Sequence, residues 1–306
     1  MCDLTQPHFQ DTDKAREYLE DLRWAGNPAC PHCSSEGAWP IGGGRKGLYK
    51  CKEYQCRKQF TVTVGTVFEK SRVPLNKWLM AVYLMCSSKK GISSKQLERT
   101  LGVTYKTAWF MSHRIREAMR DGSDGLIGGG GKTVEVDETF IGRDKNIKPK
   151  GQKKGRGYHH KNKVLSLVER GGKVRSTHVP AVNAATLKPI LQAQIAEGST
   201  VYTDEAAQYT MTKEPMFENH AYVSHGVGEY VRGDIHTNTI EGYFSIFKRG
   251  MKGIYQHCGE QHLKRYLCEF DFRYNHREKL GFDDAERADM VLRGIEGKRL
   301  TYQGPN

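Results

Sequence analysis

The segment that most constrains the fold is residues 234–250, DIHTNTIEGYFSIFKRG, which predicts a helix beginning near Asn238. Its apolar side chains recur at spacings of three and four residues and would form one buried face: Ile240, Tyr243, Phe244, Phe247 and Met251. On the other side, Glu241 and Lys248 are two helical turns apart, so we expect them to lie in line on one face. A carboxylate and an amine placed in this way can ligate a metal ion and hold a phosphate, provided that other segments supply further carboxylates.

A structural role for the same helix start is also open. Asn238 stands three residues before Glu241, which is the spacing of a capping box. In that case the glutamate would close the first turn of the helix and take no part in chemistry. The rest of the chain has to distinguish the two interpretations.

The charge of the chain indicates a polyanionic partner. The 306 residues, enough for two or three domains, include 48 lysines and arginines against 35 aspartates and glutamates, a net charge of +13. Nucleic acid is the commonest partner of so basic a protein. We find no apolar run of membrane-spanning length and no secretory signal, so we expect no membrane association and a cytoplasmic, nucleoid-associated protein of a bacterium.

Two cysteine pairs near the start predict a structural zinc site. Cys30 and Cys33 are separated by two residues, and Cys51 and Cys56 by four. Two such pairs, with predicted strands at residues 48–50 and 59–64, are typical of a zinc ribbon in a reducing compartment. The wider second pair departs from the usual form, and His32 is a possible substitute ligand.

The following helices predict a second DNA-binding module. Helices are expected over residues 73–86, 93–101 and 104–119, and the last two flank a turn at Gly102, as in a helix-turn-helix. The polar side of the last helix would read the major groove with these residues: Tyr105, Lys106, Thr107, His113, Arg114 and Arg116. An ordinary helical hairpin is the alternative.

A glycine-rich stretch at residues 121–131 predicts a flexible linker to a larger α/β domain. The expected order there is three strands (133–141, 163–168 and 173–179), a helix (184–195), two strands (201–205 and 221–231), the 234–250 helix and a last helix (259–277). Nine lysines and arginines lie in residues 143–163, which we interpret as a basic loop placed against DNA. The basic residues of this domain expected to contact DNA are Lys150, Lys153, Lys154, Arg156 and Arg249.

Two predicted strands each end in a carboxylate pair that could complete the site. Asp137 and Asp204 would converge with Glu241 at one end of a mixed sheet, although Glu138 or Glu205 could be the functional neighbour instead. Three carboxylates repel one another unless cations neutralise them, and two Mg²⁺ or Mn²⁺ ions would do so while promoting phosphoryl transfer. Lys248 would then lie near the substrate phosphate.

These motifs together resemble an insertion-sequence transposase of the ISXO2-like, DDE type. The matching stretches are CPHC, GTVFEKSRVPLNKW, GISSKQLERTLGVTYKTAWFMSHRIREAM, VEVDETFIG, VYTDEAAQY, HTNTIEGYFSIFKRG and RYLCEFDFRYNHR. The resemblance implies a zinc ribbon and helix-turn-helix before an RNase H-like catalytic domain. It also implies a metal-dependent enzyme that binds terminal inverted repeats, cuts at the element ends and joins the 3′-hydroxyl to target DNA. By position it assigns the acidic triad to Asp137, Asp204 and Glu241 and the basic residue to Lys248, with Asn238 as an alternative ligand.

The expected organisation is a multidomain chain that binds double-stranded DNA as a homo-oligomer. The predicted domains are an N-terminal helix and zinc ribbon (1–72), a helix-turn-helix (73–120), the linker (121–131), the catalytic domain (132–285) and a tail (286–306). The alternative functions are a transposase-derived regulator that binds DNA but no longer cuts it, and a stand-alone nuclease that cuts without joining.

Overall fold

The computed structural model describes residues 4–44, 46–120, 122, 125–143, 160–210, 217 and 219–301. The chain forms two compact units, one of Met1–Asp121 with Gly281–Asn306 and the other of Gly122–Leu280. The bounds of the predicted domains stay predictions. None of the helices in the described residues is both long and apolar enough to cross a membrane.

The first unit begins with a helical segment and a small sheet. Its elements are α1 (Pro7–Gln10), α2 (Thr12–Trp24), β1 (Ala38–Pro40), β2 (Tyr49–Cys51) and β3 (Gln59–Phe60). The three strands form an antiparallel sheet in the order β1-β2-β3. Trp24, at the end of α2, packs edge-on against Tyr49 and Phe60 of this sheet. The strand predicted at 59–64 is shorter than expected, since β3 ends at Phe60 and a turn follows at residues 62–65.

Three further helices follow: α3 (Leu75–Ser87), α4 (Ser94–Leu101) and α5 (Tyr105–Ala118). The side chain of Ser93 caps α4 by accepting from the Gln96 N–H, and Thr104 caps α5 in the same way. Between them, Gly102 adopts the left-handed conformation with φ 61°, which ends α4 without a steric cost. The predicted helix boundaries hold here to within two residues.

The second unit is built on a five-stranded mixed sheet. Its elements are β4 (Ile127–Gly128), β5 (Thr133–Ile141), β6 (Asn162–Glu169), β7 (Val174–Val179), α6 (Ala184–Gln194), β8 (Ile195–Ala196), β9 (Thr200–Asp204), α7 (Ala207–Thr210), β10 (Asn219–Val223), β11 (Val231–Arg232), β12 (Ile235–His236), α8 (Asn238–Gly250) and α9 (Glu260–Asn275). The strand order of the main sheet is β10-β9-β5-β6-β7. Strands β5, β6 and β7 are antiparallel, whereas β9 runs parallel to both β5 and β10.

Helices cover both faces of this sheet. Val134 and Val136 of β5 lie in a core with Leu187 and Leu191 of α6. Ile141, at the end of β5, lies in the opposite core with residues of α8 and α9. Because side chains alternate along a strand, Glu135 and Asp137 share the α8 face. The apolar face predicted for α8 is confirmed, since all five of its predicted members are buried.

Two predicted segments of this unit differ from the structure. The strand expected over 221–231 ends at Val223, because a 3-10 turn at His225–Val227 and Gly228, with φ 83°, redirect the chain. The stretch predicted as a flexible linker contains β4, which pairs with β8. A Cβ at Gly128 would lie 2.3 Å from Ser199 Oγ, so close packing requires glycine there.

The chain returns to the first unit at its end. Residues 286–306 were predicted as a tail, but Asp284–Arg293 form the helix α10. Asp283 and Glu286 make a complete capping box at its start. Val291 and Leu292 are buried, and the burial of their apolar side chains stabilises the helix in this otherwise charged segment.

Candidate active site

Asp137 and Asp204 lie on neighbouring parallel strands at the same level. The pairing of β5 with β9 sets Thr133 beside Thr200 and Glu135 beside Tyr202, an offset of 67 residues. The same offset separates Asp137 from Asp204, two residues further along both strands. The register of the sheet therefore brings together two carboxylates that are distant in sequence.

The face of the sheet distinguishes these aspartates from their neighbours. Asp137 shares the α8 face with Glu135, whereas the Glu138 carboxylate accepts hydrogen bonds from Tyr209 and Gln208 on the opposite side. Glu205 is also engaged elsewhere, since its carboxylate accepts from the backbone N–H groups of His225 at 2.7 Å and Gly226 at 2.8 Å. The geometry thus favours Asp137 and Asp204 over the two glutamates.

Helix α8 presents Glu241 to this site and does not use it as a capping residue. The N-cap is Thr237, which makes no side-chain cap hydrogen bond, and Asn238 is the first helical residue. Glu241 is exposed, and its Oε1 accepts a long hydrogen bond of 3.4 Å from Thr237 Oγ1. The capping box predicted from Asn238 and Glu241 is absent at this described helix start.

The charges of the site are electrostatically coupled. Burial, together with the negative charges of Glu138, Asp204 and Glu241, raises the pKa of Asp137 well above its usual range. Burial also raises the pKa of Asp204, and it raises that of Glu138 to about 7. Burial lowers the pKa of Lys248, and the charges of Asp137 and Glu241 oppose this shift. A set of acids that destabilise one another's ionised forms is suited to a divalent cation.

Sequence patterns did not single out Glu135, although it connects the strand to the helix. Its buried carboxylate accepts from Arg170 Nε at 2.6 Å through Oε1 and from the Ile240 N–H at 2.9 Å through Oε2. Arg170 also donates to the carbonyl oxygens of Asp234 at 2.8 Å and His236 at 2.9 Å. Glu135 and Arg170 therefore fix the first turn of α8 beside the strand that carries Asp137.

The four predicted zinc ligands form a compact group. The Sγ atoms of Cys30 and Cys56 are 3.8 Å apart and those of Cys33 and Cys51 are 3.6 Å apart, with all four within 4.8 Å of one another. Sulfur atoms bound to one tetrahedral zinc at about 2.3 Å would lie roughly 3.8 Å apart, so the group fits this ion. The wide second pair is thus compatible with the site, and the exposed His32 lies outside the group.

Not all of the residues predicted to read DNA are exposed. Tyr105 and Lys106 are exposed at the start of α5. His113, Arg114 and Arg116 are 1%, 5% and 1% exposed, so the prediction that they lie on an open polar side is wrong. Arg114 Nη2 donates to the Glu69 carbonyl at 2.6 Å, and its guanidinium lies over the rings of Trp78 and Phe110.

The remaining basic residues fall into two groups. Arg249 is exposed on α8, where it donates to Ser245 Oγ at 2.7 Å. The other predicted DNA contacts lie outside the described residues: Lys150, Lys153, Lys154 and Arg156.

Comparison with known proteins matches both units. Residues 128–275 match the ISXO2-like transposase domain, and residues 10–59 match the transposase zinc-ribbon domain. A protein of Halobacterium salinarum, described as an uncharacterized protein in transposable element ISH50, is 33% identical over 279 residues, which cover 87% of this chain and 91% of the relative. The chain belongs to the ISXO2-like transposase family. An uncharacterized transposase-like protein of Haemophilus influenzae is 28% identical over 106 residues, covering 35% of this chain and 84% of that relative. The zinc ribbon followed by a mixed α/β domain agrees with this membership.

Proposed function

We propose that the protein is an active DNA transposase that cleaves at the ends of its element and joins the freed 3′-hydroxyl to target DNA. The observation that carries the proposal is the placement of Asp137 beside Asp204 on the face of the sheet covered by α8, the helix of Glu241 and Lys248. A strand order with three antiparallel strands followed by two parallel ones is consistent with the RNase H-like fold that the resemblance implies. Family membership supports the same reaction class.

The carboxylates fit a divalent metal centre. The charges of Asp204 and Glu241 contribute to the raised pKa of Asp137, so these two carboxylates each lie close enough to that of Asp137 to repel it. Their hard oxygen ligands would suit two cations, Mg²⁺ or Mn²⁺, shared among Asp137, Asp204 and Glu241. These ions would activate the attacking oxygen and stabilise the leaving oxygen of a phosphoryl transfer.

The side chains around the carboxylates have separate tasks in this proposal. Lys248 would hold a phosphate oxygen next to the acidic group. Glu135 and Arg170 would keep Glu241 at a fixed distance from Asp137. No covalent bond between protein and DNA is required, so we assign no serine or tyrosine nucleophile.

The first unit would bind the terminal repeats. We propose that α4 and α5 act as a helix-turn-helix and that Tyr105, Lys106 and Thr107 enter the major groove, because residues at the start of a recognition helix contact base edges. The zinc ribbon would contact the phosphate backbone. Two ends must be held together for transposition, so a homo-oligomer on DNA is expected.

Replacing Asp204 with asparagine tests the catalytic assignment. The change removes a ligand oxygen charge with little change in size, so Mg²⁺-dependent cleavage of DNA carrying an element end should fall at least about a hundredfold. Binding of the same DNA should stay within about twofold. Asp234→Asn is the matched control, because Arg170 uses only the main-chain carbonyl of this exposed residue. Cleavage retained by Asp204→Asn would refute the assignment.

A further inference from the structure

A cavity of about 870 Å³ lies in the second unit, next to the carboxylates. Its wall includes apolar side chains that are part of the core, among them Ile141, Met251 and Leu263. Its charged lining is mostly basic and consists of Arg143, Lys161, Lys248 and Lys252, with Glu260 as the acidic member among the described residues. A lining that combines apolar and basic side chains suits a nucleotide, whose phosphate is anionic and whose base has apolar faces.

Lys248 lies between the acidic site and the basic cavity. Burial and the positive charges of Lys252 and Lys161 lower its pKa, while the charges of Asp137 and Glu241 raise it. Lys161 and Lys252 are therefore each close enough to Lys248 to repel it. A bound phosphate would relieve this repulsion, and it would lie directly beside the group of carboxylates.

The backbone of the cavity wall is irregular. Helix α8 continues into a single π-helical turn, Met251–Tyr255, a feature that recurs at functional sites. Gln256 follows with φ 58° and ψ −47°, and the His257 N–H donates to the Tyr255 carbonyl at 2.5 Å, which makes a three-residue γ-turn. Such strained turns persist where the surroundings hold them, often at ligand sites.

The volume of the cavity limits what can enter it. Cavities of about 300 to 1,000 Å³ hold ligands of the size of a small organic molecule, a class that includes a nucleotide. A DNA duplex is too wide to enter. A single strand can enter, since its phosphates can follow lysines while its bases contact apolar surface.

We propose that this cavity binds an unpaired nucleotide of the DNA strand adjacent to the reacting phosphate. Lys161 and Lys252 contact its phosphates, and its base contacts the apolar part of the cavity lining. The inference rests on the proposed function and deepens it, since it names the part of the substrate that lies beyond Lys248.

The thiol of Cys258, which lines the cavity, reports occupancy. The full-length protein is treated with iodoacetamide without added Mg²⁺, and alkylation of Cys258 is followed by mass spectrometry with Cys268 as the internal reference. The two DNA probes are a blunt duplex and the same duplex with a short single-stranded thymidine extension, each at a saturating concentration. We expect the extended probe to slow alkylation of Cys258 about tenfold and the blunt probe to slow it less than twofold.

Variants then test the lysines. Lys161→Ala/Lys252→Ala should lose the protection, whereas Lys173→Ala should keep it, because Lys173 lies in the β6–β7 turn, at the opposite end of β6 from Asn162 of the cavity wall. Equal protection by both probes, or none by the extended probe, overturns the proposal, as does full protection in the double variant. The comparison of the two probes on the parent protein holds even if the double variant does not fold.

Cleavage in Mg²⁺ is measured separately, so the two proposals can fail independently. A protein that shows the expected protection but never cuts contradicts the transposase activity alone. A protein that cuts while Cys258 stays unprotected contradicts the cavity assignment alone.

Discussion

Adjacent acidic residues of this protein lie in different environments because the side chains of a strand alternate between the two faces of the sheet. Asp137 lies on the face covered by α8, whereas Glu138, one residue later, accepts a hydrogen bond from Tyr209 on the other face. Asp204 and Glu205 are divided in the same manner, since Glu205 binds the backbone at His225 and Gly226. At the residue scale, strand alternation selects the members of the candidate site.

Asp271 is a further carboxylate with a raised pKa, and its hydrogen-bond partners differ from the residues of the candidate site. It accepts from the Ser176 N–H at 2.7 Å, from Ser176 Oγ at 2.8 Å and from the Tyr243 hydroxyl at 2.5 Å. Burial raises its pKa to about 6 despite these hydrogen bonds. It joins α9 and α8 to strand β7.

The raised pKa of Asp271 predicts a pH dependence of stability. The folded protein holds this proton up to a higher pH than the unfolded chain, so the contribution of Asp271 to the free energy of unfolding should fall as the pH rises from about 4 to 6 and then level off. Asp271→Asn should lose this part of the pH dependence and be up to about 2 to 3 kcal/mol more stable than the parent at pH 6 and above. Urea unfolding of both proteins at several pH values measures the difference. Parallel pH profiles for the two would contradict the prediction.

At the scale of elements, the position of α8 depends on a contact between segments that are distant in sequence. Glu135 accepts from the Ile240 N–H, which supplies the partner that a capping side chain would otherwise provide. The two residues are 105 apart in the chain. The local sequence therefore indicated a capping box with Asn238. In the structure, Glu135 of strand β5 accepts the hydrogen bond from the Ile240 N–H instead.

Removing the charge of Glu135 should loosen this helix. Glu135→Gln leaves Arg170 without its buried partner, so we expect the second unit to lose about 3 kcal/mol of stability and cleavage to fall more than DNA binding. Glu229→Gln is the matched control, because Glu229 forms a long, partly exposed pair with Arg232 at 3.9 Å and should lose less than about 1 kcal/mol. Equal effects of the two substitutions on unfolding and cleavage would show that Glu135 does not position α8.

Most elements could be predicted from sequence because their signals are local. The alternation of residues in β5, the periodicity of α8 and the caps Ser93 and Thr104 all lie within a few residues of the elements that they define. The burial of His113 and Arg114 could not be predicted in this way. Arg114 of α5 packs on Trp78, which belongs to α3. The residues around Arg114 in the sequence do not indicate this contact, so they do not indicate that Arg114 is buried.

At the scale of the whole molecule, the sequence order of the elements differs from their arrangement in space. The first unit includes the last helix of the chain, α10, although some 160 residues of the second unit intervene. Apolar positions such as Val291 and Leu292 indicate a helix but do not identify the unit that buries them. The sequence analysis for this reason left residues 286–306 as a tail without an assigned structure.

A zinc ion bound by the four cysteines should stabilise the first unit and leave the stability of the second unit unchanged. A strong chelator, or Cys51→Ser, should free the small sheet and expose Trp24, because the rings of Tyr49 and Phe60 pack against it. We expect a red shift of tryptophan fluorescence on chelation, with one zinc released per chain and the β-sheet of the second unit retained in circular dichroism. Fluorescence that is unchanged when the zinc leaves would show that the metal is not structural.

We propose that Glu241 of α8 is the third ligand of the metal ions held by Asp137 and Asp204, and a comparison of Glu241→Gln with Asn238→Ala tests this assignment. Each is assayed with Mg²⁺ and DNA carrying an element end, for cleavage and for joining to target DNA. We predict that Glu241→Gln loses both activities by at least about a hundredfold while Asn238→Ala keeps them. Loss in Asn238→Ala with activity retained in Glu241→Gln would move the ligand to the first residue of the helix. A parent protein that binds the DNA and never cuts it would contradict the proposed transposase activity and indicate a DNA-binding regulator.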